Sequence, residues 1–194
     1  MSVPPSIFGL NGIDFLMAIV ISLSVYIRRK DGIVAELFKL FGVFCTVFIT
    51  LHYYVRFADF LRVQFFGKEV STEFFAFCVL SVLIFLTFAF ISSGWSLIVR
   101  IKSFEIVDRC GNFVLSLARG YLICSMIFLA LIITGNEYFV SRAKNSVSRT
   151  LFQSAAAELY RVTYKNFVEK LFPHERMNGE VFKLIGTESV KAGN

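Results

Sequence analysis

The chain has 194 residues, of which 56% are hydrophobic and only 18% are charged, and its mean hydropathy is +0.68. About a quarter of the residues of a soluble domain are charged, so this composition excludes an ordinary soluble protein and predicts a membrane protein. The net charge of +6 does not indicate nucleic-acid binding. The basic residues lie between apolar segments and in the tail, where membrane topology and anionic lipid headgroups account for them.

Four apolar segments follow one another, and each is predicted to be a transmembrane helix. They cover about residues 8–27, 33–55, 74–99 and 112–134. The last two contain the roughly 20 apolar residues that a spanning helix needs. The first reaches that length only with its flank back to Ile7, and the second carries Glu36 and Lys39 in its first turns. The first segment is not expected to be a cleaved signal peptide, because no Lys or Arg precedes it and a basic cluster follows it.

The distribution of basic residues predicts the orientation of these helices. Arg28, Arg29 and Lys30 directly follow the first segment, and such clusters stay on the cytoplasmic side. The N-terminus, the central loop and the C-terminal tail are therefore expected outside. The two predicted cytoplasmic loops carry six basic residues, and the central loop together with the near part of the tail also carries six, but the cytoplasmic loops are much shorter.

A polar tail covers residues 136–194, and within it an amphipathic helix is predicted at about 148–172. Leu151, Leu159 and Val162 recur there at helical spacing, and Pro173 ends the helix. Such a helix either packs on the bundle or lies in the membrane interface. The alternative is a docking surface for a partner. Residues from about 177 onward are expected to fray.

Arg119 is placed about two turns inside the fourth predicted span. An ionisable group inside a span is costly, so it either reaches back to the headgroups or pairs with a carboxylate. Glu36 is the candidate partner, because both residues lie slightly inside the predicted cytoplasmic face. Asp14 is less suitable, since it begins the first helix at the opposite face.

Small or polar residues recur at every fourth position in two of the spans. Such stripes allow close helix approach and offer hydrogen bonds, within one chain or between two chains. They are Asn112, Ser116 and Gly120 in the fourth span and Gly42, Thr46 and Thr50 in the second.

No sequence motif for catalysis, cofactor binding or metal binding is present. The four cysteines lie in or beside apolar runs without ligand spacing, and His52 and His174 have no evident partners in the sequence. We therefore expect a protein that is not an enzyme and has no cofactor. The expected partners are the lipid bilayer and either further copies of the chain or other inner-membrane or envelope proteins.

Three stretches together are similar to the CvpA family, the colicin V production proteins of bacterial inner membranes. They are GIDFLMAIVISLSVYIRRKDGIVAELFKLFG, LHYYV and DRCGNFVLSLARG. The residues that match the family pattern are Asp14, Gly32, Glu36, Asp108, Arg109, Arg119 and Gly120. The chain departs from the pattern at Asp31, where the family has Arg, and at Asn112 and Ser116, where it has glycines.

The resemblance implies a four-helix inner-membrane protein that is linked to production or export of a small secreted toxin and to envelope maintenance. It covers roughly residues 10–135. A small oligomeric transporter or channel is the alternative function.

Overall fold

A computed structural model describes residues 11–26, 33–64, 71–98, 105–144, 146–172 and 174–184. These ranges contain helices and no strand, which together with the apolar helices confirms the predicted all-α membrane class. The four long helices are α1 (Gly12–Tyr26), α2 (Ile33–Gln64), α3 (Ser71–Ile98) and α4 (Glu105–Ile133). The tail adds α5 (Glu137–Lys144), α6 (Val147–Phe152), α7 (Ala155–Thr163), a π-helical turn (Tyr164–Val168), α8 (Glu169–Leu171) and α9 (Glu180–Leu184).

Three of the long helices, α2, α3 and α4, are long and apolar enough to cross a membrane. The fourth candidate, α1, has 15 described residues, which correspond to about 22 Å and fall short of a bilayer core. The predicted first span starts at about residue 8, and residues 1–10 lie outside the described ranges.

The long helices form a bundle in which α2 packs on α3, and both α1 and α2 pack on α4. Besides a small cluster of Ala58, Leu61 and Ala76, the described residues form two larger apolar cores. One joins α2, α3 and α4 to α7 and α9, with Leu51, Leu129 and Tyr160 at its centre. The other joins α1 and α4 to α5 and α6, with Met17, Phe128 and Phe152. The tail is thus part of both cores.

Helix α2 is longer than the predicted second span, which ends at about residue 55. Helix α2 continues to Gln64 through the charged sequence that the apolar pattern excluded. Arg62 explains part of this extension, because it bonds Asp59 at 3.0 Å on the same helix and Glu73 at 2.6 Å on α3. Helix α4 likewise begins at Glu105, seven residues before the predicted start.

The predicted single tail helix at 148–172 is interrupted, since a turn at Gln153–Ser154 separates α6 from α7. Side chains of α4 bond the backbone at this point, because Ser125 Oγ donates to Phe152 O at 2.6 Å and accepts from Ala156 N at 2.9 Å. The expectation of fraying from about residue 177 is wrong for residues 177–184, and residues 185–194 lie outside the described ranges. Val181 and Phe182 of α9 are buried in the larger core.

Candidate functional site

The main polar feature inside the bundle is an ion pair between Glu36 of α2 and Arg119 of α4. Arg119 Nη1 lies 3.1 Å from Glu36 Oε2. The Glu36 side chain is 1% exposed and that of Arg119 is 13% exposed. The structure therefore brings together the two residues that the sequence proposed as partners, and Arg119 turns towards the bundle interior.

The Glu36 carboxylate has two further contacts. Lys39 Nζ lies 3.1 Å from Oε1, and Ser116 Oγ donates to Oε2 at 3.4 Å. A buried charge is tolerated only when it is paired and hydrogen-bonded. Arg119, Lys39 and Ser116, from two helices, therefore supply the buried Glu36 side chain with its partners.

Arg119 also joins the pair to a third helix, because its Nη2 donates to Ser24 O of α1 at 3.3 Å. Ser24 is in the last turn of α1, where backbone carbonyls lack partners within the helix. Glu36 is in the first turn of α2. A cation near a helix C-terminus and an anion near an N-terminus are both favoured by the helix dipole, so the pair connects α1, α2 and α4.

The small residue after Arg119 brings α1 and α4 close together. A Cβ added at Gly120 would lie 3.0 Å from Ser24 Cβ and 3.6 Å from Ile21 Cα. A residue larger than glycine at this position would therefore push α1 away from α4. Ser116 and Asn112, one and two turns earlier, are buried. The stripe that the sequence identified on α4 thus lies in packing contacts within one chain.

The second stripe lies between α2 and α3. A Cβ added at Gly42 would lie 2.9 Å from Phe88 Cβ. Thr46 donates to the Gly42 carbonyl at 2.8 Å, and both Thr46 and Thr50 are buried. This bond to the preceding turn satisfies the buried Thr46 hydroxyl, whereas Thr50 Oγ1 has no hydrogen-bond partner among the described residues.

Asp14 lies at the opposite end of the bundle, away from Arg119. Its Oδ2 accepts from Asn11 N at 2.8 Å, as at a capped helix start. Its Oδ1 accepts from Ser148 N at 2.7 Å and from Ser148 Oγ at 2.6 Å. Asp14 therefore fixes the beginning of α6 to the beginning of α1, a role that nothing in the sequence spacing indicates.

For three residues of the family pattern the structure describes no side-chain surroundings. Gly32 lies outside the described ranges. Asp108 and Arg109 belong to α4, but their side chains are not described.

A second polar cluster, absent from the sequence prediction, forms where α2 meets the tail. His52 Nδ1 lies 2.9 Å from Tyr160 Oη, and His52 Nε2 lies 3.4 Å from Glu175 Oε2. Arg56 bonds both Glu175 oxygens, at 3.3 Å and 2.9 Å. This bidentate pair holds the pKa of Glu175 below its usual value.

Backbone contacts complete this cluster. Asn178 N donates to Tyr160 Oη at 2.9 Å, and Asn178 Nδ2 donates to Leu51 O at 2.7 Å. Burial raises the pKa of Tyr160 to about 12, so the phenol keeps its proton, which is available to His52 Nδ1. The two halves of the cluster are 108 residues apart in the chain. Only the location of His52 at the end of an apolar run could have suggested it.

Both polar clusters hold helices of the chain together. Tyr160 and His52 are buried, so a substrate could not reach them without opening the tail. Within the described part of the chain, no three His, Cys, Asp or Glu side chains are placed to hold a metal ion.

The family model described as colicin V production protein matches the chain over residues 13–157. No curated protein and no solved structure matches the chain significantly. The matched region begins in α1, contains Asp14, Glu36 and Arg119, and ends in α7. Since it covers well over half of the chain, the protein belongs to the colicin V production protein (CvpA) family.

Proposed function

We propose that this protein is a non-enzymatic, multi-pass inner-membrane protein that acts in production or export of a small toxin of the colicin V type and in envelope maintenance. It works without a cofactor and without nucleic acid. Its partners are the bilayer and either further copies of itself or other envelope proteins.

The family match carries this proposal, because it includes both residues of the buried ion pair and extends into the tail. The geometry favours a protein that acts as a scaffold over one that conducts a solute across the membrane. Glu36 is 1% exposed and is covered by Arg119 and Ser116 of α4, so a solute could reach it only if α2 and α4 separated.

The alternative is a small oligomeric transporter or channel. Purified protein in liposomes distinguishes the two functions. Flux of ions or small solutes above that of empty liposomes would support the transporter, and no flux agrees with the scaffold.

The export function is tested in a strain that lacks the gene and expresses a small secreted toxin. Cell-associated and released toxin are compared after complementation with the wild type, with Arg119→Gln and with Arg176→Gln as an exposed control. Immunoblots of membranes show whether each variant accumulates.

We expect release to fail in the deletion strain while synthesis stays normal, and to be restored by the wild type and by Arg176→Gln. An Arg119→Gln variant that accumulates but does not restore release would assign the ion pair to the export step. Normal synthesis and release in the deletion strain would contradict the export function.

The proposed orientation, with the N-terminus and the tail outside, rests on the basic residues after the first helix. Alkaline phosphatase fused after Leu184 is active only outside the cytoplasm. An inactive fusion that accumulates normally would reverse the orientation.

A further inference from the structure

Helix α6 lies beside α4 rather than beyond its end. Tyr121 donates to Leu151 O at 2.5 Å, and Ser125 Oγ donates to Phe152 O at 2.6 Å. Ser125 precedes the end of α4 at Ile133 by eight residues, which is about 12 Å along a helix. After leaving α4, the chain therefore turns back along the side of this helix.

The backbone around α6 obtains its hydrogen bonds from the long helices. Asp14 of α1 accepts from Ser148 N at the start of α6. Tyr121 and Ser125 of α4 donate to the carbonyls at the end of α6, and Ser125 Oγ also accepts from Ala156 N at 2.9 Å. Outside regular helices, backbone groups at bilayer depth must find such internal partners, because lipid offers none. In water, solvent would satisfy a carbonyl at an exposed residue such as Leu151, which instead accepts from Tyr121 Oη.

The face of α6 that is turned away from α4 is partly apolar. Val147 and Leu151 lie one turn apart and are 56% and 53% exposed, whereas Phe152 is 5% exposed and lies in the core. Arg149 is also exposed on α6 and bonds Gln153 through Nε at 2.8 Å. A side chain of this length can keep its charged end among the headgroups while its methylene groups lie in the apolar region.

We infer that α6 is a re-entrant helix, inserted into the lipid leaflet next to the end of α4, with Val147 and Leu151 against the acyl chains. The tail then does not form a separate domain in water. The first part of the tail, α6, lies in the leaflet. The second part, α7, leaves the leaflet and reaches His52 of α2.

Site-directed spin labelling of the full chain in phosphatidylcholine–phosphatidylglycerol vesicles tests this inference. Cys45, Cys78 and Cys110 are replaced by Ala, and Cys124 by Ser, which keeps a donor for Met17 O. Nitroxide labels are then placed singly at two test and two reference positions. The test positions are Val147 and Leu151, and the references are Phe85 on the apolar span of α3 and Val63, 88% exposed on the charged end of α2.

The collision rates of each label with oxygen, which concentrates in lipid, and with the water-soluble complex NiEDDA are measured. We expect the ratio of the two rates at 147 and 151 to be close to that at 85 and well above that at 63. A ratio near that at 63 would place α6 in water and overturn the inference. Low rates with both reagents would show that protein covers this face, which overturns it equally. Helix content and elution volume, compared with those of the unlabelled protein, identify labels that disturb the fold.

Discussion

Arg119 and Glu36 are 83 residues apart in the chain, and their side chains meet at 3.1 Å inside the bundle. Removing one member of a buried pair leaves the other without compensation, which costs about 3–5 kcal/mol. We expect Glu36→Gln and Arg119→Gln each to lower stability in detergent by an amount of this order.

The double variant is the informative measurement. Because it removes both charges of the Glu36–Arg119 pair, its loss of stability should be smaller than the sum of the two single losses. Strictly additive losses would show that the two side chains do not stabilise each other. Arg176→Gln, an exposed position, serves as the control for loss of a positive charge.

Gly120→Val should force α1 away from α4, because the added Cβ would lie 3.0 Å from Ser24 Cβ. Overpacking of this kind costs about 1–3 kcal/mol. Gly12→Val is the matched control, since a Cβ at Gly12 meets nothing within 4 Å, and we expect it to change stability by less than about 0.5 kcal/mol. Thermal unfolding of the two variants in the same detergent compares them. Equal melting temperatures would mean that the close approach of α1 and α4 contributes nothing.

Tyr160→Phe should loosen the tail, because it removes the partner of His52 Nδ1 and of Asn178 N. An unsatisfied buried polar group costs about 1–3 kcal/mol. Hydrogen exchange at residues 174–184 should therefore become faster. Tyr138→Phe, at an exposed tyrosine of α5, is the control and should leave exchange unchanged. Unchanged exchange in Tyr160→Phe would show that the Tyr160 hydroxyl does not contribute to holding the tail.

Acid should release the same segment. Arg56, through its hydrogen bonds, keeps the pKa of Glu175 below its ordinary value of 4.5, and His52 adds to this. A carboxylate with a depressed pKa contributes stability that is fully present above the unfolded pKa and is lost as the pH falls through the folded pKa. Residues 174–184 should thus become sensitive to protease as the pH falls below about 4.5. The assay needs an acid-active protease.

Glu175→Gln is the control for this acid effect. Its protease sensitivity should be raised at neutral pH and should change little on acidification. If the variant showed the same acid dependence as the wild type, another group would be responsible.

The sequence predicted the elements that depend on local patterns. Apolar runs located the long helices, and the four-residue spacing of Asn112, Ser116 and Gly120 located a packing face. The costs of burying Arg119 limited its possible partners to a carboxylate at the same depth. Each of these inferences needed only hydropathy, helical geometry and charge.

The contacts of the tail could not be predicted in this way. His52 meets Tyr160 and Glu175, and Asp14 meets Ser148, across more than one hundred residues, and no periodicity connects them. The turn at Gln153–Ser154 depends on Tyr121 and Ser125 of another helix, so the sequence of the tail alone favours an uninterrupted helix. The apolar pattern did not predict that α2 continues to Gln64, because ion pairs of Arg62 sustain the helix beyond its apolar part.

These contacts change how the tail can be studied. Truncation after Thr134 would remove Ala156, Tyr160 and Phe182 from the core, so its loss of function would report unfolding. A docking role for the tail needs substitutions at exposed positions such as Phe167 and Leu171.

Attachment of the tail to both α1 and α2 also sets the order in which the protein is completed during synthesis. Asp14 and His52 are made more than one hundred residues before their partners Ser148, Tyr160 and Glu175. The first two helices therefore lack these partners until the tail has been made. A chain that stalls before residue 146 leaves the Asp14 and His52 side chains without the contacts that they have in the folded protein.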